Sequence, residues 1–380
     1  MKPKVGLITY CVGNQGSALQ CYATQTYLAG MGIDCTLYTR RESGLARIGQ
    51  SLEYRTGAYL KLLKYPDQWS EYKKCKHPKS SNVAMSKETL CEIEKFAHEY
   101  IKTEQYSWNQ LRKFAGSEEC MAFFSGSDQI WSGFWFLTNR LWFLRFCPKR
   151  KRVAWMPSFG TETVSKYNED IYKQYISEYQ FLSVREASGQ KIVQGLTGRT
   201  APVLPDPVYL LSAEQWRAIS IDISCSTNYI LMFFIAQPNE SVIKYAQKEA
   251  ERRNAQIIWL SYNHDQDGLF VNGGPREFVS YIDKAELVLT DSFHAALFSI
   301  ILDSPFYVYQ RTDSHGSKQI GRIHNLLEKF QMQSRFAKDM PPEEDSNGDY
   351  ERVREVLESE KNKVDLYLKE ITSYYLGDCE

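Results

Sequence analysis

The 380-residue chain has no apolar run of about 18 residues or more, so no membrane-spanning helix is expected. It has no excess charge. Its 46 Lys and Arg balance 46 Asp and Glu, which excludes the strongly basic footprint of a nucleic-acid binder but not a local pocket for a small anion. No CxxC pair occurs, and the nine cysteines (Cys11, Cys21, Cys35, Cys75, Cys91, Cys120, Cys147, Cys225, Cys379) are scattered. With no signal-peptide pattern before the first strand, free buried thiols in a reducing, cytoplasmic compartment are the simplest expectation. His77, His98, His264, His315 and His324 share no metal-ligand spacing with one another or with cysteine, so neither metal nor cofactor is expected. GxGxxG and Walker loops are missing too.

What is present is an ordinary hydrophobic content of 43% and a high aromatic content of 14%. Flat rings suit sugar contact, but a large core is the default reading. The length exceeds the roughly 250–300 residues at which single cores stop growing, so two domains are expected.

Val5–Tyr10, Ala18–Ala29 and Ile33–Tyr38 read as strand, helix and strand, the opening of a βαβ unit. Residues 43–80 are polar, aromatic and weakly periodic, an insertion. Ser86–Ile101 is helical with Ser86 as N-cap. Strand-like runs return at Met121–Phe124, Val153–Met156 and Phe181–Val184, and the Pro-rich Ala201–Pro207 is extended. The polar Ser220–Asn228 is the best boundary. Beyond it come strands Tyr229–Ile235, Gln256–Leu260, Leu287–Thr290 and Phe306–Tyr309, with helices Ser241–Asn254 and Ala295–Leu302. Met340–Tyr350 reads as a linker and Glu351–Tyr375 as a long terminal helix. Alternating β and α units imply parallel sheets with ligands at the carboxyl ends of strands.

Four segments can carry chemistry. Gly13–Ser17 precedes a helix whose N-terminus can hold an anion or a hydroxyl-bearing ligand, or it is a plain turn capped by Ser17; Gln20 lies one turn in. Ser125–Trp131 places Ser127 and Asp128 after a strand, and spacing alone favours Asp128 as a helix cap. Arg185 stands where a buried run gives way to a helix, and its fork suits carboxylate or phosphate; position alone slightly favours an exposed pair with Glu186. The strongest is Leu287–Phe298, where a strand runs into a polar turn and a helix. There Asp291 and Ser292 can cap the helix and His294 lies in its first turn. Lys149–Arg152 reads as a solvated turn or as a contact for acidic headgroups at the inner membrane surface.

The segments VGLITY…NQGSALQCYATQTYL, FFSGSDQIW, AWMPSFG, FLSVREASGQKI, LPDPVYLL, ELVLTDSFHAALFSIILDSPFYVY and GRIHNLL, in this order, resemble the polysaccharide pyruvyl transferase family over roughly Val5 to Leu327. The resemblance implies an α/β, GT-B-like fold of two Rossmann-like domains facing a cleft, with a C-terminal helix crossing back. Residues 1–218 would form the acceptor-side domain, 226–338 the donor-side domain and 351–376 the crossing helix. It implies an enzyme moving a pyruvyl group from phosphoenolpyruvate to hydroxyls of a sugar or lipid-linked oligosaccharide in exopolysaccharide or capsule synthesis. Arg185 matches a donor-contacting arginine and His294 the proposed general acid. Ser292 stands where some relatives carry arginine, and Lys318 or Arg322 are the candidate substitutes. Ser292 and Phe293 complete the donor set; Asn14, Gln15, Gly16, Gln20, Ser127 and Asp128 form the acceptor set. A glycosyltransferase using a sugar nucleotide and a non-catalytic carbohydrate-binding assembly protein are the alternatives.

Overall fold

The computed structural model describes residues 2–41, 56–57, 59–70, 73, 83–133, 136–223, 227–264, 266–312, 316–338 and 350–377, with the side chains of 316–319 and Tyr350 outside that description. The linker expected at Met340–Tyr350, apart from Tyr350 itself, and much of the expected insertion therefore lie outside the described residues.

The first sheet contains β1 (Lys4–Ile8), β2 (Asp34–Arg40), β3 (Thr103–Tyr106), β4 (Ala122–Ser125) and β5 (Arg152–Ala154). Its order is β3-β2-β1-β4-β5, parallel throughout. Around it lie α1 (Gln15–Gly30), α2 (Lys87–Tyr100), α3 (Trp108–Gly116), α4 (Lys166–Ser177), α5 (Ala187–Thr197) and the short α6 (Ala213–Ile219). The second sheet contains β6 (Tyr229–Phe233), β7 (Gln256–Leu260), β8 (Leu269–Val271), β9 (Leu287–Thr290), β10 (Phe306–Tyr309) and β11 (Phe336–Ala337). It is also parallel, in the order β11-β10-β9-β6-β7-β8. Its helices are α7 (Glu240–Arg253), α8 (Pro275–Asp283), α9 (Phe293–Leu302) and α10 (Gly316–Lys329). In both sheets the strand order reverses beside the first strand, the doubly wound, Rossmann-like topology whose ligand crevice opens at the carboxyl edge.

The central strands formed as their composition requires. β4, β6, β9 and β10 are buried along their whole length, which a parallel sheet covered on both faces demands. Ser86 caps α2, its Oγ accepting from Thr89 N at 3.0 Å. Two expectations are corrected. Phe181–Val184 is not a strand and makes only single bridges, Phe181 to Val153 and Val184 to Val203. Lys149–Arg152 is not simply a solvated turn. Lys151 Nζ is buried against Ser117 O (2.6 Å) and Cys120 O (2.7 Å), and Arg152 holds Cys147 O and Glu178.

The last helix, α11 (Tyr350–Leu376), ties the ends together. Lys329 of α10 meets its Glu360 at 2.7 Å, and farther along Tyr367 Oη donates to Ala154 O of β5 at 2.9 Å. It thus runs from the second domain back onto the first, the GT-B-like arrangement. No helix among the described residues is long and apolar enough to cross a membrane.

Candidate functional site

The carboxyl edges of the two sheets meet. Asn14 caps α1 by accepting from Ser17 N at 2.8 Å, and the helix start then presses on the second domain. Gly16 lies against the His294 ring, so close that a Cβ there would stand 2.3 Å from Nδ1. The Gln15 amide, fully buried, donates to Ser261 Oγ (2.8 Å) and Gly273 O (2.9 Å) across the junction. The Gln15 amide nitrogen is therefore a tie between the domains.

His294 enters from α9. Ser292 caps that helix through Ala295 N at 3.4 Å, which spends its hydroxyl on structure. Asp291 does not share the capping; its carboxylate accepts from Ile235 N (2.8 Å) and Ala236 N (3.0 Å) beyond β6. His294 Nε2 lies 3.5 Å from Asp206 Oδ2 and has no hydrogen-bond partner among the described residues.

Asp206 is the residue that the sequence reading missed. It is fully buried, and the same Oδ2 accepts from Arg185 Nη1 while Oδ1 accepts from Val208 N at 3.1 Å. Burial alone would raise its pKa; Arg185 and His294 outweigh that and hold it well below the usual carboxylate range. The one available signal was an acid set between two prolines in LPDPV.

Arg185 is not the exposed partner of Glu186. Its side chain is 4% exposed and is paired with Asp206, while its Nε and Nη2 are buried with no partner among the described residues. Burial works against its charge, but Asp206, Asp128 and Glu186 raise its pKa above the ordinary value. Glu186 instead braces the loop after β5, accepting from Ser158 Oγ (3.0 Å), Phe159 N (2.6 Å) and Gly160 N (3.2 Å).

Arg322 of α10 completes the group. Its guanidinium lies 4.6 Å over the Phe293 ring and forms no ion pair among the described residues. Burial, then repulsion from Arg185, lowers its pKa to about 10. A cation destabilised by burial and by a second cation is stabilised by an anion placed between them. The Lys318 side chain lies outside the described residues.

Asp128 follows β4 in a left-handed turn (φ 43°), half-buried, with its carboxylate accepting from Ser17 Oγ and from Gln129 N at 2.7 Å. Ser127 Oγ donates to Met156 O at 3.0 Å and lies 3.5 Å from Arg185 Nη1, so it braces that arginine. Gln20, fully buried, donates to Tyr10 O (2.7 Å) and Ser17 O (2.9 Å) and accepts from Ser127 N at 3.3 Å. It holds two loops together, its amide spent on backbone groups.

These features define a two-domain, doubly wound α/β protein with a cluster of arginine, aspartate and histidine side chains where the sheets meet. Residues 14–313 match the family profile described as polysaccharide pyruvyl transferase, and the chain belongs to that family. Comparison with curated proteins finds no match. Among solved structures, the UDP-GlcNAc 2-epimerase of Methanocaldococcus jannaschii is similar with a TM-score of 0.49 and 11% identity, covering 97% of this chain and 100% of that one. A putative UDP-N-acetylglucosamine 2-epimerase of Listeria monocytogenes gives 0.47 and 12%, covering 96% and 97%. The glycosyltransferase SsfS6 of Streptomyces sp. SF2575 gives 0.42 and 9%, covering 95% and 96%. These likenesses say nothing of the chemistry of this chain.

Proposed function

We propose that the chain transfers a pyruvyl group from phosphoenolpyruvate to two hydroxyls of a sugar, closing a ketal, as an enzyme of cell-surface polysaccharide synthesis. The observation that carries this reading is the pair of arginines beside His294: Arg185 with two unpartnered guanidinium nitrogens, and Arg322 with no ion pair among the described residues. A donor with a carboxylate and a phosphate supplies the two anionic groups such a pair binds. Phe293 lies beneath Arg322 on the second domain's side of the cluster.

The chemistry divides among named side chains. His294 Nε2 delivers a proton to the methylene carbon, which becomes the methyl group, and cationic character develops at the adjacent carbon. One sugar hydroxyl adds there and gives its proton to Asp128. The bond from that carbon to the phosphate oxygen breaks, and phosphate leaves. The second hydroxyl then closes the ketal, and its proton goes with the phosphate. The proton taken by Asp128 passes on to His294 and restores it, and the second hydroxyl's proton ends on phosphate. Asp206 reaches no substrate atom in this scheme; it positions Arg185 and His294.

The test is a reaction of purified protein with phosphoenolpyruvate and candidate glycans, following inorganic phosphate by ³¹P NMR and the ketal methyl by ¹H NMR. His294→Asn should lower kcat by about 10²–10⁴-fold and leave KM for phosphoenolpyruvate little changed. Arg322→Met should act mainly on that KM. Turnover of a UDP-sugar without phosphate release from phosphoenolpyruvate would overturn the proposal in favour of glycosyl transfer. Normal turnover in both variants would overturn the residue assignment.

A further inference from the structure

Trp131 and Trp155 are fully buried and belong to the core. Tyr10 does not. It stands where the chain leaves β1 at the carboxyl edge of the first sheet, half-buried, and two residues on Val12 is 45% exposed. Its backbone is fixed, because its carbonyl accepts from the buried Gln20 amide at 2.7 Å. Its ring is fixed as well. Trp142, also half-buried, lies with its ring 4.8 Å away and inclined at 61°, an edge-to-face contact. Trp142 is held in turn, its carbonyl accepting from Ser125 Oγ at the end of β4 and from Tyr179 Oη at 3.4 Å. The Tyr10 hydroxyl, by contrast, has no hydrogen-bond partner among the described residues. Asp128, from the loop after β4, is near enough for its charge to act on that hydroxyl. Burial first, then the Asp128 carboxylate, raises the pKa of Tyr10 above its ordinary value, so the hydroxyl keeps its proton.

We propose that Tyr10 is the platform for the acceptor sugar: the C–H face of a hexopyranose lies on its ring, a sugar oxygen accepts from its hydroxyl, and Trp142 holds the ring in place. A pyranose carries hydrogens on its faces and hydroxyls around its rim, so an aromatic face beside a hydrogen-bond donor recognises it. Tyrosine supplies both on one side chain, an apolar body with a polar tip. An anionic donor is a poor fit for the same place, because a ring face is electronegative and the Asp128 carboxylate repels a second anion. A ring already braced by Trp142 loses little freedom when a ligand arrives. Asp128 is the group that takes the first hydroxyl proton in the proposed transfer, so the platform would select which hydroxyl reaches it. That consequence rests on the transferase reading; sugar binding at Tyr10 does not.

The test is saturation-transfer NMR on the full chain without phosphoenolpyruvate, irradiating aromatic protons and observing methyl β-galactoside, methyl β-glucoside and methyl N-acetyl-β-mannosaminide. At least one glycoside should receive saturation at its ring C–H protons, and its titration gives a Kd. Tyr10→Ala should raise that Kd about tenfold or more. Tyr10→Phe keeps the ring and should raise it about 2–10-fold, the loss of one hydrogen bond. Tyr10→Leu keeps apolar bulk without a flat face and stands in if thermal melts show the alanine variant unfolded. In the transfer assay, Tyr10→Ala should raise the acceptor KM and leave KM for phosphoenolpyruvate unchanged. No saturation of any of the three glycosides, or an equal Kd in parent and Tyr10→Ala, would overturn the platform. Tyr10-dependent binding without phosphate release from phosphoenolpyruvate would uphold the platform and sink the transferase reading. Transfer with an unchanged acceptor KM in Tyr10→Ala would do the reverse.

Discussion

At Gly16 a Cβ would stand 2.3 Å from Nδ1 of His294 and 2.7 Å from its Cε1, far inside van der Waals contact. Gly16→Ala therefore has opposite local effects. Within α1, alanine is the better helix former by up to about 1 kcal/mol. At the ring, the methyl group forces the imidazole to rotate away from Asp206, from which Nε2 is now 3.5 Å distant. The variant is expected to melt within a few degrees of the parent and to lose at least tenfold in kcat, with Nε2 misplaced by about 1 Å or more. Thermal melts and steady-state kinetics on one preparation check both halves. Full activity in the alanine variant would show that the ring does not need this seat. Sequence reading placed His294 just after an apolar strand, because a doubly wound sheet brings such positions to its carboxyl edge, but it favoured an exposed place for Arg185, which is buried against Asp206. It missed Asp206, because nothing in LPDPV records which distant side chains the buried carboxylate meets. Gln15 and Gln20 looked like ligand contacts for the same reason: loop position is legible, but the partner that consumes each amide is not.

Elements at sheet centres were legible, and of the four edge strands only β5 was. β9 and β10 are unbroken apolar runs, while β3 (TEQY) alternates exposed and half-buried residues and β11 spans two residues, too few for any pattern. The basic run at the start of β5 was legible as charge, but its purpose lay in one distant acid. Glu178, at the end of α4, accepts from Arg145 and Arg152 and lies 3.2 Å from Lys149. Burial would raise its pKa, but these three cations outweigh it and lower the value to about 2. In the unfolded chain a glutamate titrates near about 4.3. Its contribution to stability is therefore complete above that value and is lost as pH falls toward about 2. Glu178→Gln should cost about 3 kcal/mol at neutral pH, because it strands Arg152 and Arg145, whose side chains are largely buried. Urea unfolding at a series of pH values should show that difference holding steady through neutrality and narrowing in acid. A difference independent of pH down to the acid limit of cooperative folding would sink the ion-pair account.

At the scale of the molecule, one apolar cluster spans both sheets, beside a further cluster in each domain. The same buried cluster includes Leu7 and Phe124 from the first sheet and Leu231 and Val288 from the second. Trp216 of α6 stands at the join, fully buried, with its ring 5.9 Å from Tyr22 of α1 and 4.8 Å from Phe298 of α9. Its Nε1 donates to Val208 O at 3.2 Å, two residues beyond Asp206, so the same side chain steadies the segment that carries the site's carboxylate. A shared core predicts that the two domains unfold together in the intact chain. Removing the indole should cost about 3–5 kcal/mol, as large aromatic truncations in cores do. Because the lost contacts are those joining α1 to α9, the loss should fall on coupling more than on either sheet alone. Trp216→Ala is therefore expected to separate unfolding into two steps. Denaturant titrations followed by far-UV circular dichroism and by tryptophan fluorescence should coincide in the parent and diverge in the variant. Coincident curves in the variant, merely shifted to lower denaturant, would mean that α11 and the Gln15 tie hold the domains together without Trp216.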